Sequence, residues 1–313
     1  MSAMIDAPTF AAHWLQRSFL FARPAATISS AYLLLIILLA VLTLPVALQV
    51  YDAQDLQGAI RHPPAWSPVN AWLGYDDLGR SLLMRLLPGL LVSLAIGLSA
   101  AAISVTVGTL WGATAALLGG RVDLLMMRVV DVLYGLPYLL LMVLLKVSLQ
   151  PVFRGLIPEH PRVADVVILF MAIGGVSWLT MARVVRGQVL SLRAQPFVEA
   201  ARVAGAGSWH ILRRHVLPNI AGPVIVYGSL IIPQAILQEA FLSFLGVGVQ
   251  QPTPSLGRLA ADGVEAVNSF VSFWWLLVYP CAALVSILLA LNFVGDALRE
   301  TYDPKSSVAT LIQ

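Results

Sequence analysis

Charged side chains are missing from long stretches of this chain: none occurs from position 24 to 51, from 86 to 120, or from 266 to 295. A helix needs about 20 mostly apolar residues to cross the hydrocarbon core of a bilayer, and each of these stretches is longer than that. Three more apolar runs come near that length. They extend from Asp131 to Arg154, broken only by Lys146, from Asp165 to Arg183, and from Arg214 to Glu239. The pattern predicts six membrane-spanning helices, at 30–50, 89–117, 131–150, 164–183, 219–244 and 273–296. The expected fold class is therefore all-α, a polytopic integral membrane protein.

Composition points the same way. Of 313 residues, 59% are hydrophobic and 11% charged, whereas soluble domains carry roughly 25% charged residues. What charge there is orients the chain, because loops facing the cytoplasm hold an excess of Lys and Arg. With six spans both termini share one side. That side carries Arg17, Arg23, Arg121, Arg128, Arg183, Arg186, Arg193, Arg202, Arg213, Arg214, Arg299 and Lys305. The other side carries only Arg61, Arg80, Arg85, Lys146, Arg154, Arg162 and Arg258. Both termini are accordingly expected in the cytoplasm. The net charge of +3 is a topological signal and no argument for nucleic acid. The first apolar run is too long for the core of a typical signal peptide and is read as an uncleaved anchor. A single cysteine, Cys281, lies in the last span and forms no internal disulfide.

Inside the spans, small residues recur at four-residue spacing, at Ser93, Gly97 and Ala101 and again at Gly108 and Gly112. Such rows let helix backbones approach closely in lipid, and packing within one bundle is the expected use. The fifth span carries Pro223 and Pro233, a plausible kink. Segment 51–88 contains Trp66 and Trp72 among prolines and glycines and suits a compact loop at the headgroup level.

Several chemistries are absent by count. A phosphate-binding loop of the G-x-x-x-x-G-K-[ST] type needs a lysine that neither Lys146 nor Lys305 can supply. The five histidines have no H-E-x-x-H spacing and there is no cysteine pair for zinc. Only Glu239 lies well inside a span, so paired intramembrane carboxylates are missing too. An ionisable group in the membrane marks a pathway or gate by default; Glu239 could equally be a structural, hydrogen-bonded acid. Asp131 and Lys146 fall near the ends of the third span, where a long side chain can snorkel.

Between the fourth and fifth spans lies PFVEAARVAGAGSWHILRRHVLPN, residues 196–219, too polar for hydrocarbon. Pro196 suits the first position of a helix. Phe197, Ala200, Ala201 and Ala204 then share one face, which is apolar and mostly small. Gly205 fits the left-handed residue that ends a helix. Ser208 can cap a second helix with Trp209, Leu212 and Val216 on one side and His210, Arg213 and Arg214 on the other. The segment is read as a cytoplasmic helix–turn–helix whose alanine face admits another protein surface.

This stretch resembles the EAA loop of binding-protein-dependent ATP-binding-cassette importers, E-A-A-x₃-G-x₉-I-x-L-P. Here it reads Glu199-Ala200-Ala201, Gly205 and His215-Val216-Leu217-Pro218, with histidine in place of isoleucine. Leu73–Gly89 is similar to the peptide-importer pattern LGTDxxGRDxxSRxxxG, with Tyr75 and Ser81 replacing threonine and aspartate. Gly119–Pro137, Ala182–Arg193 and Glu239–Gly257 extend the likeness, with Leu256 where tryptophan is more usual. The chain looks like the C-type permease subunit of a dipeptide, oligopeptide or nickel importer.

That resemblance implies a bacterial inner-membrane protein with no catalytic site and no cofactor of its own, since ATP and Mg are bound by partner subunits. Implied partners are a second permease, usually in a heterodimer, two cytoplasmic ATPases, a periplasmic substrate-binding protein and membrane lipid. The implied ATPase-coupling residues are Glu199, Ala200, Ala201, Arg202, Gly205 and Trp209. The expected division is a cytoplasmic tail at 1–29, a first span at 30–50, a periplasmic segment at 51–88, a permease core at 89–296 with the loop at 196–219, and a tail at 297–313. Peptides are the expected cargo, with nickel chelates or another small solute as the alternative. An ion-gradient-driven transporter, the rival from another class, would need midplane ion ligands.

Overall fold

The computed structural model describes residues 24–56, 59–267 and 271–302, so most of both predicted tails, including Arg17, Arg23 and Lys305, lies outside the described residues. Ten helices run along these residues. They are α1 (Pro24–Val50), α2 (Leu82–Leu118), α3 (Gly120–Tyr134), α4 (Tyr138–Leu156), α5 (Pro161–Arg193), α6 (Pro196–Val203), α7 (Ser208–Ile211), α8 (Leu217–Phe244), α9 (Leu256–Glu265) and α10 (Trp274–Tyr302). Six helical segments are long and apolar enough to cross a membrane: α1, α2, α4, α5, α10 and the unbroken run Ser208–Phe244.

The predicted spans are recovered with two instructive shifts. The third begins at Tyr138 rather than 131, because Gly135-Leu136-Pro137 interrupts the helix. Proline lacks the amide that would continue the hydrogen-bond ladder and disfavours helical backbone in the residue before it. A scan for missing charges does not register such a break. The fifth span starts earlier than 219, since α7 passes through a wide turn at Leu212–Val216 directly into α8.

The centre of the bundle is α2, α5 and α8. Helix α2 spans 37 residues, a length of about 55 Å, and starts from a Ser81 cap whose hydroxyl accepts the Met84 amide. Its small residues are its packing surfaces. A Cβ at Gly108 would stand 2.6 Å from the Met181 Cβ of α5, and one at Gly97 would meet Ile232 and Ile236 of α8 at 3.0 Å. Close backbone approach is the means by which helices associate in lipid, where no hydrophobic effect drives them together. Fully buried Ile96, Leu169, Ile173 and Leu179 fill the space between.

Helix α1 is peripheral. A narrow seam of Ala26, Ser29, Leu33, Ala40 and Ala47 is buried, and most of the remainder, including Leu34, Leu38 and Leu42, is exposed. The seam lies between α2 and α10, where the hydroxyls of Tyr32 and Ser286 meet at 2.6 Å.

The two ends of the bundle are fastened differently. At the end holding residues 196–216, here the loop end, Arg186 makes a two-pronged bond to Asp123 (2.6 and 2.7 Å). Arg183 bonds Asp131 at 2.8 Å and lies over the Tyr134 ring. Arg193 donates to the Ala116 and Leu117 carbonyls at the close of α2, where a cation complements the helix dipole. At the far end, segment 59–81 folds over the bundle around a buried ionic knot. The Asp76 carboxylate accepts the Leu78 and Arg80 amides (both 2.9 Å), the Arg80 Nε (2.7 Å) and the Arg85 Nη1 (2.6 Å). Among the described residues no strand forms; Tyr75 and Ser81 make an isolated bridge.

Candidate functional site

Residues 196–216 form a short helix, a tight turn and a second helix. Pro196 stands at the first position of α6, after the Gln195 cap residue. Gly205 has φ +86°. The Ala206 amide returns to the Ala201 carbonyl and the Gly205 amide to Arg202, each at 3.0 Å, which is the Schellman arrangement that ends a helix on a left-handed residue.

Of the face read off the sequence, only Ala201 is not fully outward. Val198 is fully buried and Ala201 half-buried, whereas Phe197, Ala200 and Ala204 point outward. A two-turn helix offers the bundle little more than two inward positions, and the larger apolar residue, Val198, takes one. The alanine surface is nevertheless outward, with Val203 beside it 87% exposed. Ser208 caps nothing: Gly207 holds that position and Ser208 is the first residue of α7. Trp209 does not join Leu212 and Val216 but stands 67% exposed. Ile211 replaces it inside, because Ile211 and Val216 face the same way across a turn of π register, in which each amide reaches back five residues.

The loop is therefore anchored by Val198, Ile211, Leu212 and Val216 against Met181, Val185 and Val189 of α5. It presents Glu199, Ala200, Arg202, Gly205 and Trp209 outward. Glu199 and Arg202 make no side-chain hydrogen bond or ion pair with the described residues. His215 is half-buried, its ring between those of Phe197 and His210 at 6.4 and 6.2 Å, so it packs into the loop interior.

Glu239 is fully buried in α8. Its carboxylate accepts three hydroxyls, Ser93 of α2 (3.0 Å), Ser243 (2.7 Å) and Ser255 (2.7 Å). Each serine in turn accepts a backbone amide, from Leu256, Val249 and Arg258 respectively. Buried polar groups persist in apolar surroundings when their partners are complete, and here the hydroxyl and amide partners close on one another. The arrangement ties α2, α8 and the start of α9 together. Lys146 does not snorkel. Its amine reaches the Val247 and Gly248 carbonyls just past the end of α8. These two contacts, with the hydroxyls on Glu239, hold the far end of α8 to the rest of the bundle.

Neither the Asp76 knot nor the Ser93–Glu239–Ser255 link was foreseen. The charges of the first lie in a stretch that reads as loop, and the serines of the second are separated by 146 and 16 positions from Glu239. A cavity of about 490 Å³ opens between α4, α5 and α8, lined in part by Tyr138, Ser177, Tyr227, Gln234 and Gln238. Glutamines 234 and 238 lie one turn apart on α8, and this was the only signal for it in the sequence.

Comparison with known proteins places these features in context. The family described as binding-protein-dependent transport system inner membrane component matches residues 104–308. The oligopeptide transport system permease protein OppC of Escherichia coli K12 is 41% identical over 286 residues, 91% of this chain and 89% of that protein. OppC of Bacillus subtilis is 36% identical over 280 residues, covering 90% and 85%. The dipeptide transport system permease protein DppC of the same organism is 41% identical over 234 residues, covering 75% and 68%. Among solved structures, the inward-facing methionine ABC transporter MetNI matches with a TM-score of 0.56 at 18% identity, over 71% of this chain and 98% of that one, a likeness of fold.

Proposed function

The chain belongs to the binding-protein-dependent transport system inner membrane component family, multi-pass proteins of the inner membrane, and from that we propose that it is a permease subunit of an ATP-driven importer of oligopeptides or dipeptides. Peptide cargo is supported by the names of its relatives, permeases of oligopeptide and dipeptide systems. Such a subunit works with other transporter subunits. In our reading these are a second, different permease, two ATPases carrying ATP and Mg on the cytoplasmic side, and a periplasmic binding protein that delivers cargo. The loop end then faces the cytoplasm, as the Lys and Arg distribution requires.

One observation carries the coupling role: the loop is anchored inward and bare outward. Val198, Ile211 and Val216 fix it to the bundle, while Glu199, Ala200, Arg202, Gly205 and Trp209 stand at the surface. A partner shifts a conformational equilibrium only through contacts that differ in energy between the two states. An ATPase seated on this surface acts on α7, and α7 is continuous with α8 through the wide turn. Motion of the ATPases thereby reaches α8, whose far end is held by Glu239 and Lys146. A rod driven at one end and held at the other tilts, and tilting opens the path between two permeases to one side at a time.

The test is substitution at the surface of the loop. Gly205→Pro cannot adopt the positive φ of the turn, and Glu199→Lys reverses an exposed charge. Both variants are expected to insert and to assemble with the second permease, yet to lose most ATP-driven peptide uptake in proteoliposomes. Wild-type uptake by both would remove the coupling assignment.

A further inference from the structure

The cavity between α4, α5 and α8 has a wall that does not suit lipid. Thr180, Tyr227 and Gln234 are exposed there, and their side chains make no hydrogen bond with the described residues. In hydrocarbon a carboxamide or hydroxyl without a partner is strongly disfavoured. Tyr227, Gln234 and Gln238 occur at i, i+7 and i+11, which sets them on one stripe of α8. Leu237, Phe241 and Phe244 form a second stripe that is exposed and wholly apolar. The same helix thus shows one face made for lipid or protein packing and one made for water.

A second observation is independent of the first. The backbone leaves helical form at Gly135–Pro137, between α3 and α4, beside this cavity. Tyr138, the next residue, places its hydroxyl 3.1 Å from Ser177 and 2.9 Å from the Gln238 Oε1. Ser177 is the central residue of the 33-residue α5, so the break lies within membrane depth. Irregular backbone at such depth occurs where it is buried in protein or lines a water-filled space. The Tyr138 bond also holds the Gln238 carboxamide by its oxygen, which leaves its nitrogen as a donor toward the cavity.

The chemistry of the wall selects the ligand. Every polar side chain lining it is neutral: carboxamides, phenols and hydroxyls, each able to donate and, in all but the donor nitrogen, to accept. Repeating N–H and C=O groups of a peptide backbone match such a wall, whereas a ligand recognised through its charges finds no counter-charge on it. A volume of about 490 Å³ is of the size that holds a small ligand. We propose that this cavity is one wall of the substrate passage, where Thr180, Tyr227, Gln234 and Gln238 hydrogen-bond the backbone amides of the peptide in transit. The inference rests on the peptide-permease reading above. It adds that the membrane path reads the backbone and ignores side chains.

The experiment uses the whole transporter, with second permease, ATPases and binding protein, reconstituted in proteoliposomes. A Cys281→Ala background removes the native thiol, and Gln234→Cys is compared with Leu237→Cys. A hydrophilic thiol reagent is expected to modify Gln234→Cys and spare Leu237→Cys, and a labelled mixture of di-, tri- and tetrapeptides with ATP is expected to slow that modification several-fold. Gln234→Leu is expected to lower peptide uptake about fivefold, the loss of roughly one hydrogen bond, with ATPase activity and binding-protein affinity unaltered. Uptake by the wild type together with an unreactive Gln234→Cys, a reaction rate indifferent to peptide, or unaltered uptake by Gln234→Leu each overturns the inference alone. A wild-type transporter that accumulates none of the peptides overturns the peptide reading and this inference with it.

Discussion

Two carboxylates one position apart, Asp76 and Asp77, show how much context decides the worth of a charge. Asp76 is buried with four donors on it, two of them guanidinium groups. Asp77 faces solvent and pairs with the exposed Arg61. Breaking a buried ion pair by removing one partner costs about 3–5 kcal/mol, because the other charge is left without compensation, whereas an exposed pair contributes about 0–1 kcal/mol. Asp76→Ala is therefore expected to lower the unfolding temperature of the detergent-solubilised protein steeply and Asp77→Ala hardly at all; similar shifts would contradict this account. Asp123 carries a pH signature. The hydrogen bond from Arg186 holds its carboxyl below the ordinary carboxylate range. A depressed folded value means that the stabilisation is complete above the unfolded value, about 3.9, and is lost as pH falls through the folded one. The stability difference between wild type and Asp123→Asn should persist at neutral pH and close in strong acid. A gap independent of pH would remove the ion pair as its cause.

Among the elements, the wide turn at Leu212–Val216 governs the register of the loop. Ile211 and Val216 lie five residues apart and both are buried, a spacing that an α-helix of 3.6 residues per turn does not bring to one face. Deleting Arg214 shortens that spacing to four, which an α-helix does accommodate, so the loop should keep its seat and the protein its stability. Deleting Ile225 inside α8 has no such relief. It rotates the loop by about 100° relative to Glu239, and assembly with the ATPases should be lost. Equal damage from the two deletions would mean that the turn has no role in register. The sequence made the spans legible because charge is so costly in lipid that its absence is a signal by itself. It hid the turn, the Gly135–Pro137 break and the inward turning of Val198, since these depend on which neighbour a residue meets. The EAA spacing located the surface loop at 196–216, and local periodicity then assigned Trp209 and Ser208 to roles that Ile211 and Gly207 fill.

At the scale of the whole molecule, the far end is knotted and the loop end clasped by arginines, while the middle is held by close helix contacts and one buried acid. The peripheral helix α1 is joined to this body by a seam of small side chains and by the Tyr32–Ser286 bond, whose partners are 254 positions apart. Chains grow from the N-terminus at about 5–20 residues per second. Roughly 10–50 seconds thus separate the appearance of Tyr32 from that of Ser286, and in that interval half of the groove for α1 does not exist. Helix α1 must wait in the lipid, threaded but unseated, until α10 arrives. Its exposed leucines make that wait tolerable, because lipid suits them as well as protein does, and its narrow seam keeps it from pairing firmly with anything met sooner.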